Sequence, residues 1–130
     1  MRYLVCLVVG AVIGGLFAMT LANALQRRNA WPRALMNVMQ HELGDARNAA
    51  KGGTCPSPVL QRASEHLRLL AGDLEPALLA TGSRDRVLSQ YMRDFGKVVT
   101  AWEPGAGCMR QAEALTTITN ACEACHRDYR

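Results

Sequence analysis

The sequence predicts an all-α protein: an antiparallel up-down-up-down four-helix bundle preceded by an N-terminal apolar leader or anchor helix. Three observations carry that prediction. Hydrophobic residues make up 49% of the chain but aromatics only 5%, which favours helices over sheet and excludes a disordered chain. Four segments repeat their apolar residues at alternating intervals of three and four, the period of a helix with one buried stripe. Clusters of Gly, Pro and Ser separate these segments.

The leader comes first. No charged side chain occurs between Tyr3 and Gln26. Arg2 and the α-amino group supply a positive start, and Leu4 to Ala18 is continuously apolar. Ala22-Asn23-Ala24 presents the small residues that a signal peptidase reads, which would make Leu25 the mature N-terminus. The stretch from Leu4 to Ala24 is also 21 residues long, enough to span a bilayer. Gly10 and Gly14 form a GxxxG pair of the kind that packs transmembrane helices. Two outcomes stay open: a cleaved signal, or an anchor in the inner membrane. Either delivers residues 25–130 to the oxidising periplasmic side. Those 106 residues suffice for one core, and so small a core gains from a staple or a cofactor.

The first bundle segment runs from about Asn29, an N-cap residue, through Lys51 to Gly52-Gly53. Its stripe is Met36, Met39, Leu43, Ala46 and Ala50. Ser57-Pro58 opens the second, whose stripe is Leu60, Ala63, Leu67, Leu70 and Leu74. Pro76 is expected to kink or end it near Glu75. Gly82-Ser83 offers a stop and a new cap ahead of the third, marked by Leu88, Tyr91, Phe95, Val98 and Trp102. Pro104-Gly105-Ala106-Gly107 breaks the chain again, and the fourth carries Leu115, Ile118, Cys122, Cys125 and Tyr129. Matched stripes and short connections are what an antiparallel bundle needs.

Charge excludes more than it suggests. The chain has 15 basic and 11 acidic residues, net +4, and without Arg2 the balance is 14 against 11, or +3. The arginines are scattered among acids, as in Arg84-Asp85-Arg86, with no basic run and no stacking platform. No nucleic-acid partner is expected. No carboxylate pair, nucleophile–base set or phosphate-cradling glycine loop is visible either, so the chain does not read as an enzyme.

The chemistry lies in Cys122-Glu123-Ala124-Cys125-His126. On a helix, residues three apart differ by roughly 300° and residues four apart by about 40°, so both thiols and the imidazole share one face. That pattern suits covalent haem: two thioethers fix the porphyrin edge and the adjacent histidine is an axial iron ligand. Two other chemistries use such cysteines. A thioredoxin-like dithiol sits at the start of a helix after a strand, which this segment lacks. Zinc could be drawn from Cys55, Cys108, Cys122 and Cys125, without the second short-spaced pair usual for structural sites.

The run Ile118-Thr119-Asn120-Ala121-Cys122-Glu123-Ala124-Cys125-His126-Arg127-Asp128-Tyr129-Arg130 resembles the C-terminal helix of class II c-type cytochromes, the cytochrome c-prime group. Haem attachment near the C-terminus and the Tyr-Arg after the histidine are the specific features. In layout the resemblance covers about Asn29 to Arg130; at motif level it covers the last dozen residues and Arg33-Ala34-Leu35-Met36. It implies haem c on Cys122 and Cys125, His126 as proximal ligand, and Arg130 near the proximal ring. By the register of the first segment it places Met36 at the distal position. Low-spin relatives ligate methionine there and carry electrons; gas-binding relatives keep a non-ligating residue. Met39, one turn further along, is the fallback ligand, and the alternative is that both methionines are plain core. Such relatives often dimerise through their first two helices, so a homodimer is allowed.

The other residues take plainer roles. His41 lies roughly 200° around from Met39 and is expected at the surface, with His66 on the flank of the stripe. Trp31 and Trp102 are expected as core residues at helix ends, or against the haem edge. With two cysteines taken by haem and Cys6 in the leader, Cys55 and Cys108 remain. They fall at the same end of an up-down-up-down bundle, so a Cys55–Cys108 disulfide is expected. The whole reads as a periplasmic monohaem electron carrier with redox proteins as partners. The alternatives are a five-coordinate haem protein that binds a small gas such as nitric oxide, and a subunit whose haem only staples the bundle.

Overall fold

The computed structural model describes residues 2–28, 30–51, 55, 57–79 and 84–129. They form five helices and, among the described residues, no strand: α1 (Arg2–Arg28), α2 (Ala30–Lys51), α3 (Ser57–Leu78), α4 (Arg86–Ala101) and α5 (Cys108–Asp128). The chain divides into two compact units, Met1–Arg33 and Ala34–Arg130.

In the first unit, α1 holds the one apolar span long enough to cross a membrane, Val5–Leu25. None of that span is buried against protein, and Cys6 is an exposed free thiol. Trp31 is 54% exposed, so the core role expected for it does not hold. It falls within the first unit, ahead of the helical stripes that bury side chains in the second.

The second unit has one core. Leu35, Met39, Leu43 and Ala46 of α2 enter it, with Leu60, Ala63, Leu67 and Leu74 of α3. Leu88, Met92, Phe95 and Val99 of α4 join Trp102 and the α5 residues Leu115 and Ile118. On α4 the buried stripe is rotated slightly from expectation: Met92 and Val99 are buried while Tyr91 and Val98 are only half-buried. Among the described residues, fifteen apolar side chains are buried.

Three helix ends depart from expectation or refine it. The helix α3 runs through Pro76 to Leu78. The amide missing at Pro76 leaves the carbonyl of Gly72 without its helical donor, and both residues are exposed to solvent. The cap of α4 is Asp85, whose carboxylate accepts the backbone N–H of Val87 at 3.0 Å and of Leu88 at 2.9 Å. The turn and cap residues Asn29, Gly52, Gly53, Gly82 and Ser83 lie outside the described residues. Where α4 stops, Arg68 of α3 donates to the carbonyls of Val99, Thr100 and Trp102, satisfying acceptors that the helix end leaves open.

Cys55 and Cys108 stand at disulfide distance, with Cα atoms 5.7 Å apart across 53 positions of sequence. This is the pairing expected from cysteine arithmetic. Cys55 has φ 40°, a left-handed conformation that costs a non-glycine residue about 1–3 kcal/mol and persists where surrounding structure holds it. The tie joins the segment ahead of α3 to the first residue of α5, at the end of α5 away from Cys122.

Candidate functional site

Within the second unit, α4 packs against both α3 and α5, with Cα atoms of each pair within 8 Å. Polar side chains also link α2 to its neighbours. Arg62 of α3 reaches Asp45 at 3.3 Å, His66 Nδ1 lies 2.8 Å from Glu42 Oε1, and Arg47 donates to the Thr119 hydroxyl on α5. The candidate site lies where α2, α3, α4 and α5 face one another.

Two adjoining cavities occupy the space. One, of about 40 Å³, is walled by Leu74, Leu78, Tyr91, Met92 and Phe95 and includes Met36, Met39, Cys122, Cys125 and His126. The other, of about 320 Å³, shares Met36, Met39, Phe95, Cys122 and His126 and adds a polar rim of Gln40, Arg47, Thr119 and Glu123. The first four named candidates therefore meet: Cys122, Cys125 and His126 from the last turns of α5, and Met36 from α2, line one cavity. Met39 lines it too, more deeply buried than Met36. The fifth, Arg130, lies outside the described residues.

Local helix geometry explains the convergence. The last two turns of α5 bring Cys122, Cys125 and His126 to one face, as intervals of three and four require. Both thiols are half-buried and free. Burial pushes the Cys122 thiol up from its ordinary value, against the opposing pull of the Arg47 guanidinium. Burial also raises the Cys125 thiol, and the Asp128 carboxylate adds to the effect. A dithiol oxidoreductase needs the reverse, a thiolate stabilised at a helix N-terminus. Here the cysteines sit at the C-terminal end, where the helix dipole disfavours a thiolate. The zinc alternative meets a second obstacle: Cys55 and Cys108 are paired at the far end of α5. Among the described residues no group of three or more His, Cys, Asp or Glu could hold a metal ion.

Two tyrosines fasten the end of α5 to α4. Tyr129 donates to Asp85 Oδ2 at 2.8 Å, and Tyr91 donates to Asp128 Oδ2 at 2.6 Å. Their rings meet edge to face with centroids 6.3 Å apart. Hydrogen bonding to these carboxylates raises both phenols above their ordinary value. Trp102 is buried far along the chain from the motif, its indole N–H donating to Gln111 at 2.6 Å, which makes it a core residue. His41 is exposed as expected, and His66 is half-exposed against Glu42. Sequence reasoning overlooked buried Glu42, buried Gln111 and the Tyr–Asp ties. Only Gln111 had a signal, lying four residues before Leu115 on the α5 stripe.

The chain matches no family model, no curated protein and no solved structure.

Proposed function

We propose that this protein is a monohaem c-type cytochrome of the periplasm that carries electrons between redox proteins, built as an antiparallel up-down-up-down bundle of α2–α5. The observation that carries the reading is the convergence of Cys122, Cys125, His126 and Met36 on one cavity with apolar walls. The donor set fits haem c. Two free thiols three residues apart suit the two thioethers, and the next residue is an imidazole able to ligate iron. Met36 lines the same cavity from α2, and its thioether would be a second iron ligand.

Haem c supplies a one-electron couple. The protein's own residues would hold and insulate it. Cys122 and Cys125 would tie the group to α5, and Leu74, Leu78, Met92 and Phe95 would shield it from water. A His/Met pair would keep ligation alike in both oxidation states, which suits rapid electron transfer. The Tyr129–Asp85 and Tyr91–Asp128 bonds hold the turn that bears His126. Raised thiol values are no obstacle to a structural attachment point. The apolar α1 supports export, as a signal or as an anchor, and export is the condition for thioether attachment outside the cytosol.

A five-coordinate haem that binds a small gas is the second reading. It is favoured by the cavity of about 320 Å³ beside Met36, which leaves space on that side. Optical spectra of the purified holoprotein decide between them. Low-spin ferric and ferrous bands that turn high-spin in Met36→Ala support the carrier. A high-spin wild type overturns it in favour of gas binding, and a protein without covalently bound haem overturns both.

A further inference from the structure

We infer that Arg47 is the counter-ion of the candidate site: its guanidinium binds a carboxylate of the group held there, which for haem c is a propionate. The inference rests on the cytochrome reading and goes beyond it by naming the side chain that recognises the cofactor's acid groups.

Position comes first. Arg47 lines the cavity of about 320 Å³ together with Met36, Cys122 and His126. It also lines a neighbouring cavity of about 400 Å³ beside Lys51 and Thr116, so its half-buried side chain borders both. On α5 it meets Thr119, one turn ahead of Cys122 on the same face. Thr119 is fixed in turn. Its hydroxyl donates to the carbonyl of Leu115 at 2.7 Å, which leaves the oxygen to accept from Arg47. The charge is felt at the motif, where Arg47 opposes the burial that raises the Cys122 thiol.

The guanidinium is under-used. A guanidinium carries several N–H donors, and the Thr119 hydroxyl is the one protein acceptor that Arg47 meets among the described residues. Arg62 by contrast is paired with Asp45 at 3.3 Å, and Arg68 satisfies three carbonyls at the end of α4. No ion pair joins Arg47 to a carboxylate among the described residues, although Glu123 stands on the same cavity wall. A planar fork of free donors matches a carboxylate in two parallel bonds. The ligand supplies that partner. Haem c carries propionate carboxylates, and a carboxylate drawn toward apolar walls needs a counter-charge. Among the described residues Arg47 is the sole Arg or Lys lining this cavity.

The test is a double cycle between residue and ligand in the full-length Cys122→Ala/Cys125→Ala chain, which can take iron porphyrin only without thioethers. Iron protoporphyrin with free carboxylates and its dimethyl ester are titrated in turn and followed by visible absorption. The acid is expected to bind about tenfold tighter than the ester. Arg47→Gln should erase most of that preference, and Arg47→Lys should keep part of it. Arg62→Gln, which removes a cation from outside the cavity, should leave it intact. An ester that binds as tightly as the acid, or a preference that survives Arg47→Gln, overturns the inference. The covalent holoproteins give a second measurement, which decides if the thioether-free chain binds neither porphyrin. Removing the cation leaves a propionate uncompensated and favours ferric iron, so Arg47→Gln should shift the reduction equilibrium about tenfold, or about 59 mV. Covalent haem with an unchanged potential overturns the inference and leaves the cytochrome reading standing. A wild type without covalent haem overturns both.

Discussion

The hydroxyl of Tyr129 donates to the carboxylate of Asp85 at 2.8 Å, across 44 positions of sequence. The same carboxylate caps α4 through Val87 and Leu88. One side chain thus starts one helix and fastens the end of another, three residues past His126. In Tyr129→Phe the ring remains and only this bond is lost. The last turn of α5 should then open about fivefold more often, as expected for one net hydrogen bond. Amide hydrogen exchange at Tyr129, whose N–H donates to Cys125 O at 2.9 Å, reads the change. Unchanged exchange there would remove the tie from the account.

Acid should weaken the fold partly through that residue. The backbone N–H of Leu88, then the Tyr129 hydroxyl, hold the Asp85 carboxyl below its ordinary value of 3.8. A depressed folded-state value contributes stability above the unfolded value that is lost as pH falls through the folded one. The Tm of wild type should therefore drop more steeply below about pH 4 than that of Asp85→Asn, which retains a capping oxygen. Equal slopes would contradict the assignment.

The alkaline limb follows the opposite sign. Tyr91 and Tyr129 are raised above 10.0 by hydrogen bonds to Asp128 and Asp85 respectively. The neutral phenol is the favoured form in the fold, so this contribution is complete below the unfolded value and lost as pH rises through the folded one. Ultraviolet titration should show two of the three tyrosines ionising late. In Asp85→Asn and Asp128→Asn each phenol in turn should move back toward its ordinary value.

Joining Cys55 to Cys108 closes a long loop, and opening it with Cys55→Ser/Cys108→Ser should cost about 2–4 kcal/mol in denaturant unfolding. A variant as stable as wild type, or a wild type whose melting ignores reductant, would show that the tie contributes nothing.

Gln111 is fully buried and closes the α4–α5 connection. It donates to the carbonyls of Glu103 at 2.7 Å and Ala106 at 2.8 Å while accepting from Trp102. Leucine at this position keeps the volume but strands the buried Trp102 indole N–H and removes the bonds to two part-buried carbonyls, costing about 1–3 kcal/mol. Trp102 fluorescence and urea unfolding report it together. A loss under about 1 kcal/mol would mean that water takes over the bonds.

Local pattern foretold what depends on period and on turn chemistry. The stripes placed Leu43, Leu67, Phe95 and Ile118 in the core, and the interval between Cys122 and Cys125 put both on the cavity face. Cys55 and Cys108 could be paired by counting ends. Long-range polar partners were illegible because their donors and acceptors lie far apart in sequence. Glu42 meets His66, Arg47 meets Thr119, and Tyr129 meets Asp85 only after the helices pack. Pro76 does not end α3 at Glu75, because both it and Gly72, whose carbonyl loses a donor, are exposed, and the helix runs on to Leu78.

The four cysteines of residues 25–130 can pair in three ways. Two of those ways consume Cys122 and Cys125 in links to other parts of the chain, and only one leaves both motif thiols with each other. By bringing Cys55 against Cys108 at the opposite end of α5, the fold selects that one. The staple therefore also sorts sulfur. It withdraws the other two thiols and leaves Cys122 and Cys125 as a free neighbouring pair.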